Sequence, residues 1–292
     1  MFADAYEKAS VFTHPLVVSV RYFDGTVNCS LGAFVILNTE GWAITAAHQL
    51  EAVPAHKQHS DEIAKYEQQI TAIQQDQGLN AKQKRKKIQR LKSNPKWITC
   101  YSPWWGRDDL KFKELRVFPE ADLAAARLEP FDPQSIPTYP ILKNPTNLRC
   151  GTSLCRLGFP FHDISATFDE VSKSFRLSPG ALPAPRFPIE GIYTRNILAE
   201  KSKNGKYEIK FLETSSPGLR GQSGGPIFDV NGIVWAIQSR TNHFPLGFSP
   251  KVIRQRREVE EHQFLNVGLG VHPELLVAFL KDNDIKFELS KF

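Results

Sequence analysis
What the chain lacks sets its first bounds. No apolar run, Gly32 to Leu37 among the longest, approaches the ~18 residues a membrane span requires. Met1 to Leu16 carries Asp4, Glu7 and Lys8 and has no apolar h-region, so no secretory signal is expected. Only four cysteines occur in 292 residues, which excludes a disulfide scaffold and leads to the expectation of reduced thiols in the cytoplasm. Cys150 and Cys155 have no second pair at metal-ligand spacing, and no glycine-rich phosphate loop is present, so neither metal nor cofactor is expected. Acid is missing between Ala81 and Lys92, where Lys82, Lys84, Arg85, Lys86, Lys87, Arg90 and Lys92 stand together. Without those seven the net charge of +6 becomes −1, which excludes a general nucleic-acid-binding surface.

What remains is an ordinary globular composition, 41% hydrophobic and 23% charged, dominated by short β-like runs. Leu16 to Phe23 ends at the turn pair Asp24-Gly25. Gly32 to Leu37 and Trp42 to Ala47 flank the turn Asn38-Thr-Glu-Gly41 and form a hairpin, with His48 immediately after it. Strand patterns return at Trp97–Tyr101, Leu110–Phe118 and Leu123–Leu128, and after a proline-punctuated connection a second set runs from Ser153 to Val271. Many short strands with Gly/Pro turns favour barrels or sandwiches. The expected division is 1–135 and 136–292, with a closing helix over about 273–282 led by Pro273.

One segment departs from this pattern. Ile63, Tyr66, Ile70 and Ile73 recur at helical steps, Gly78 suits a helix end, and Asn80 can cap a second helix carrying Ile88 and Leu91. The spacing predicts a helical hairpin over about 57–94, capped at Ser60, each arm on the order of 20 Å. It is either a solvated decoration or a surface for a regulatory protein partner.

Gly221-Gln-Ser-Gly-Gly-Pro226 is the strongest chemical signal. Glycines around a serine let backbone N–H groups converge on one small space, which an oxyanion formed by attack of that serine requires. A plain glycine-rich turn is one reading. The pattern G-x-S-x-G also fits a nucleophile elbow, but that motif needs a helix directly after the serine, and here Pro226 and a short strand follow. Trp104-Trp105 is an aromatic pair suited either to packing on a barrel end or to substrate contact.

A third reading unites the signals. Thr45-Ala-Ala-His48, then Ala121-Asp-Leu-Ala-Ala-Ala-Arg-Leu128, then the serine motif resembles the trypsin-like serine peptidases in chain order, and Cys155-Arg-Leu-Gly-Phe-Pro160 is similar to a strand end of bacterial, HtrA-type members. The resemblance implies an all-β fold of two six-stranded antiparallel β-barrels, here with the helical hairpin inserted. It implies a serine endopeptidase acting on protein or peptide, with His48 as base, Asp122 orienting it, Ser223 as nucleophile, and the N–H groups of Gly221 and Ser223 as oxyanion hole. Asp108 and Asp109 compete with Asp122, which opens an apolar strand where an unpaired carboxylate would be costly. Gln222 stands where secreted zymogens carry an aspartate, and Gln49-Leu50 where they carry a cysteine, which points to an intracellular relative. Substrate contacts are expected from Pro217, Leu219, Gln222, Trp235, Ala236 and Ile237, and with no carboxylate among Pro217–Gln222 a small or apolar side chain is expected before the cut. A catalytically silent relative used as a protein-binding scaffold is the competing class.

Overall fold
The chain begins with a helix that the sequence reading left out. In the computed structural model, which describes residues 1–104, 110–255 and 257–291, α1 (Ala3–Phe12) buries Ala5, Ala9 and Phe12, a helical stripe. Trp105 to Asp109, and with them Asp108, Asp109 and half of the tryptophan pair, lie outside the described residues.

The early β-runs form one antiparallel sheet. Its strands are β1 (Thr13–Tyr22), β2 (Val27–Ile36), β3 (Trp42–Ala46), β4 (Ile98–Trp104), β5 (Lys111–Phe118) and β6 (Leu123–Glu129). Their order is β4-β1-β2-β3-β6-β5, and the two edge strands approach each other, so the sheet curls into a barrel. Leu16, Phe34, Ile36, Ile44, Leu123 and Leu128 are buried in the core around it.

The second half follows with β7 (Ile141–Leu142), β8 (Ser153–Gly158), β9 (Ala166–Asp169), β10 (Ser174–Leu177), β11 (Phe187–Lys201), β12 (Glu208–Thr214), β13 (Pro226–Phe228), β14 (Val234–Pro245), β15 (Lys251–Arg254), β16 (Arg257–Glu260), β17 (Phe264–Val271) and β18 (Glu288–Leu289). Six of these run β13-β8-β11-β12-β17-β14, and a β13–β14 pairing closes the ring. The short β7 and β18 add parallel pairs beside β14, and β9–β10 and β15–β16 are separate hairpins. Helix α1 packs against β8 and β13 of this second barrel, with the Phe2 ring edge-on to Phe228 at 6.2 Å.

A helix pair and a single helix accompany the two barrels. The inserted hairpin is α2 (Ala52–Gln75) and α3 (Ala81–Arg90). It starts earlier than the sequence reading placed it, because the turn carrying His48 runs directly into α2; at 24 residues the first arm is about 36 Å long. Ser60 therefore lies inside α2, its hydroxyl donating back to the His56 carbonyl at 2.8 Å, while Asn80 and Gln83 form the capping box of α3. Helix α2 is anchored on the first barrel by Tyr66 packed edge-on against Phe23 and Trp97, and by His59 Nδ1 accepting from Ile98 N at 3.0 Å. Helix α4 (Pro273–Asp282) lies between β17 and β18 and buries Leu275, Leu276, Phe279 and Leu280.

Candidate active site
Neighbouring strands of the first barrel bring His48 and Asp122 together. β3 pairs with β6 so that Ala46 faces Leu123, which leaves the residues just beyond β3 beside those just before β6. His48 follows on a 3-10 turn, and Asp122 ends another in the left-handed region at φ 54°. The Ala47 N–H donates to the Asp122 carbonyl at 3.1 Å and the His48 N–H to Asp122 Oδ1 at 3.0 Å. The ring completes the contact, with Nδ1 at 3.0 Å from both carboxylate oxygens. The carboxylate is covered, its side chain 12% exposed against 38% for His48.

This pair sets the electrostatics. Burial pulls the His48 imidazole down, but the Asp122 hydrogen bond and charge, with Glu51 adding, hold it above its ordinary value. Burial likewise pushes Asp122 up, and is outweighed by the His48 contact and by the Ser239 hydroxyl, which keep the carboxyl ionised and below its usual range. Ser239 Oγ donates to Asp122 Oδ2 at 2.5 Å from β14 of the second barrel. Sequence reasoning missed Ser239; its only signal was a hydroxyl ending the apolar run Ile233–Gln238.

Ser223 reaches the same place from the second barrel. Its carbonyl accepts from Ala33 N at 2.8 Å, and Gly224 donates to the Gln238 carbonyl at 2.8 Å, so the loop is tied to both barrels. Gly224, at φ +84°, presses so closely on β2 and β3 that a Cβ would lie 2.1 Å from the Ala33 carbonyl and from Thr45 Oγ1. Among the described residues, neither the Gly221 nor the Ser223 N–H donates to a backbone carbonyl. Ser223 Oγ donates to the Ser239 carbonyl at 3.4 Å and is not hydrogen-bonded to His48.

The cleft beside Ser223, about 410 Å³, has the walls Pro217–Arg220 and Gln238–Thr241 with His243. Of the residues expected to contact substrate, Pro217 and Leu219 line it. The other expected contacts do not. Trp235, Ala236 and Ile237 are buried at 4%, 0% and 0% exposure, with Trp235 Nε1 donating to Asp229 at 3.0 Å; the cleft wall is built by the next residues of the same strand. Gln222 is fully buried, its carboxamide accepting from Leu219 N at 3.0 Å and donating to the Phe187 carbonyl at 3.2 Å, so it braces the serine loop from behind.

Another residue not foreseen lies under the cleft. Arg156 is 2% exposed, donates to the Ser216 carbonyl at 2.7 Å and also to Pro217 O and Thr214 Oγ1, and among the described residues has no carboxylate partner. Burial lowers it to about 10, so it stays charged at neutral pH and holds the Ser216–Pro217 wall by its carbonyls.

Among the described residues no cluster of three His, Cys, Asp or Glu side chains is arranged to hold a metal, and no helix is long and apolar enough to cross a membrane. The chain resembles two solved proteases in fold. A variant of the HtrA-type protease AlgW with a tripeptide aligns at TM-score 0.52 and 15% identity over 97% of this chain, which spans 63% of that one. The Rv3671c protease from M. tuberculosis, in its active form, aligns at TM-score 0.51 and 10% identity over 99% of this chain and 87% of the other. No curated protein matches the chain by sequence. The model of the trypsin-like peptidase domain matches residues 32–237, the stretch that holds His48, Asp122 and Ser223 between two barrels, and the chain belongs to that family.

Proposed function
We propose that the chain is a serine endopeptidase working through His48, Asp122 and Ser223. Ser223 Oγ adds to the scissile carbonyl as its proton passes to His48 Nε2. The C–N bond then breaks as His48 returns that proton to the departing amine, and water repeats the sequence on the acyl-enzyme. Asp122, braced by Ser239, holds the imidazole and balances its charge, and the N–H groups of Gly221 and Ser223 meet the oxyanion. The observation that carries this reading is the His48–Asp122–Ser239 network, joined across both barrels and opening on the cleft that Ser223 lines.

The cleft supports a short, uncharged side chain before the cut. Thr241 Oγ1 donates to the Gly218 carbonyl at 2.6 Å and ties one wall to the other. The Gln238 carboxamide fills the space over Gly218, where a Cβ would lie 2.1 Å from Nε2. Four free cysteines fit a cytoplasmic site of action, and the basic hairpin α2–α3 fits regulation by a protein partner.

A second reading, a silent scaffold that binds proteins, draws on one feature: His48 Nε2 meets Gln49 and not Ser223 Oγ. Covalent labelling by a fluorophosphonate decides. An active peptidase is labelled on Ser223, and Ser223→Ala and His48→Ala abolish labelling to a similar degree alone or together, because such residues act as one unit. Absence of labelling in the intact chain would sink the peptidase reading.

A further inference from the structure
The acceptor that Ser223 would need on His48 is already in use. With the Nδ1–H committed to Asp122, the neutral imidazole keeps one in-plane lone pair, on Nε2. The Gln49 carboxamide donates to it, Nε2 to Nε2 at 2.9 Å. One lone pair does not fully serve two donors, and Ser223 Oγ turns to the Ser239 carbonyl.

The position of Gln49 is built into the first barrel. Its side chain lies flat across Gly32 of β2, where a Cβ would fall 2.4 Å from Oε1 and 2.6 Å from Cδ. Only glycine leaves that path open. Gln49 Oε1 is buried there with no hydrogen-bond partner, which is unfavourable in itself, so the pose depends on the contact made by the other end of the carboxamide. Gly32, Gln49 and His48 thus form one continuous device reaching the base.

We propose that Gln49 is a positioning residue that caps His48 Nε2 in the resting enzyme, and that its carboxamide swings off before Ser223 can pass its proton to the imidazole. The proposal rests on the peptidase reading above. No covalent bond changes in this step: the Gln49 N–H leaves the lone pair and the Ser223 O–H takes its place.

The test uses the full chain and two readouts. The first is the rate of fluorophosphonate labelling at Ser223 in Gln49→Ala, in Gly32→Ala, which pushes the carboxamide aside without removing it, and in the double variant. The second is the ¹⁵N resonance of His48 Nε2, which reports what that nitrogen accepts. Labelling about tenfold faster in both single variants, the scale of one neutral hydrogen bond, with no further gain in the double variant and a displaced Nε2 resonance in each, is the expected result. Labelling that is unchanged or slower in Gln49→Ala overturns the proposal, even if the resonance moves. If Ser223 is labelled in no variant, the peptidase reading fails on its own, and the cap is judged by the resonance: a shift in both single variants supports the contact, and an unmoved resonance in Gln49→Ala overturns it.

Discussion

Ser239 of the second barrel donates its hydroxyl to the carboxylate of Asp122 on the first at 2.5 Å, so the residue that orients His48 is gripped from both halves of the molecule. Removing that hydroxyl leaves a mostly buried carboxylate short of a donor. Ser239→Ala should lower stability by about 1–3 kcal/mol in denaturant unfolding and reduce kcat/KM about tenfold or more while the fold persists. Wild-type stability and rate in this variant would remove Ser239 from the site.

Activity should fall on acidification with a midpoint above 6.5. The proposed base works as neutral imidazole, and its folded value is raised above the ordinary 6.5, burial being outweighed by Asp122 and Glu51. The same shift has the opposite sign for stability: the His48–Asp122 pair favours the folded state most below 6.5, and this contribution fades as pH rises through the raised folded value. A pH profile of kcat/KM, set beside unfolding at matched pH, measures both limbs, and an acid limb at or below 6.5 contradicts the assignment.

The bridged cleft predicts cleavage after short, uncharged residues. Thr241→Gly removes the hydroxyl that joins the walls at Gly218 and should raise kcat/KM for a leucine or phenylalanine substrate relative to alanine by about tenfold, within the 10–200-fold range such pocket changes give. A peptide library cut mainly after arginine or lysine by the wild-type chain would refute the pocket assignment.

The basic arm has a separate test. Helix α3 has no buried residue, and among the described residues Lys84 reaches only the Gln74 carbonyl of α2, at 2.6 Å, so its charge faces solvent. Replacing Lys84, Arg85, Lys86 and Lys87 with Gln should leave cleavage of a short neutral peptide unchanged and weaken capture of an acidic protein partner, most clearly at low salt. If binding and cleavage of every protein tested survive the change, the hairpin serves solubility.

The local order of this chain was readable before its structure was known. Period-two runs, turn dipeptides and an Asn80 cap are properties of neighbouring residues, and so is a serine set among glycines. The order of histidine, aspartate and serine along the chain carried the family as well, since it needs no knowledge of how strands pair. The amphipathic stripe of Ala5, Ala9 and Phe12 was there too, but three small or single apolar residues in a short helix give a weak signal until β8 and β13 provide something to bury them against.

The surroundings of the site belonged to the tertiary structure. Which part of the strand that continues from Ile233–Gln238 meets the cleft depends on barrel closure, so Trp235 to Ile237 are buried by packing on both faces and Gln238, Ser239 and Thr241 form the wall. Gln222 looked like a cleft residue from its place beside Ser223, yet the loop path buries it against β11. The clasp of Ser239 on Asp122, the cation of Arg156 under the wall and the reach of Gln49 across Gly32 each join residues distant in the chain or on separate strands. The sequence by itself determined the residue types able to do the chemistry and their order. Their mutual distances, their burial and the partner each polar atom finds were decided only when two barrels packed together, because those quantities arise from long-range pairing that no local pattern contains.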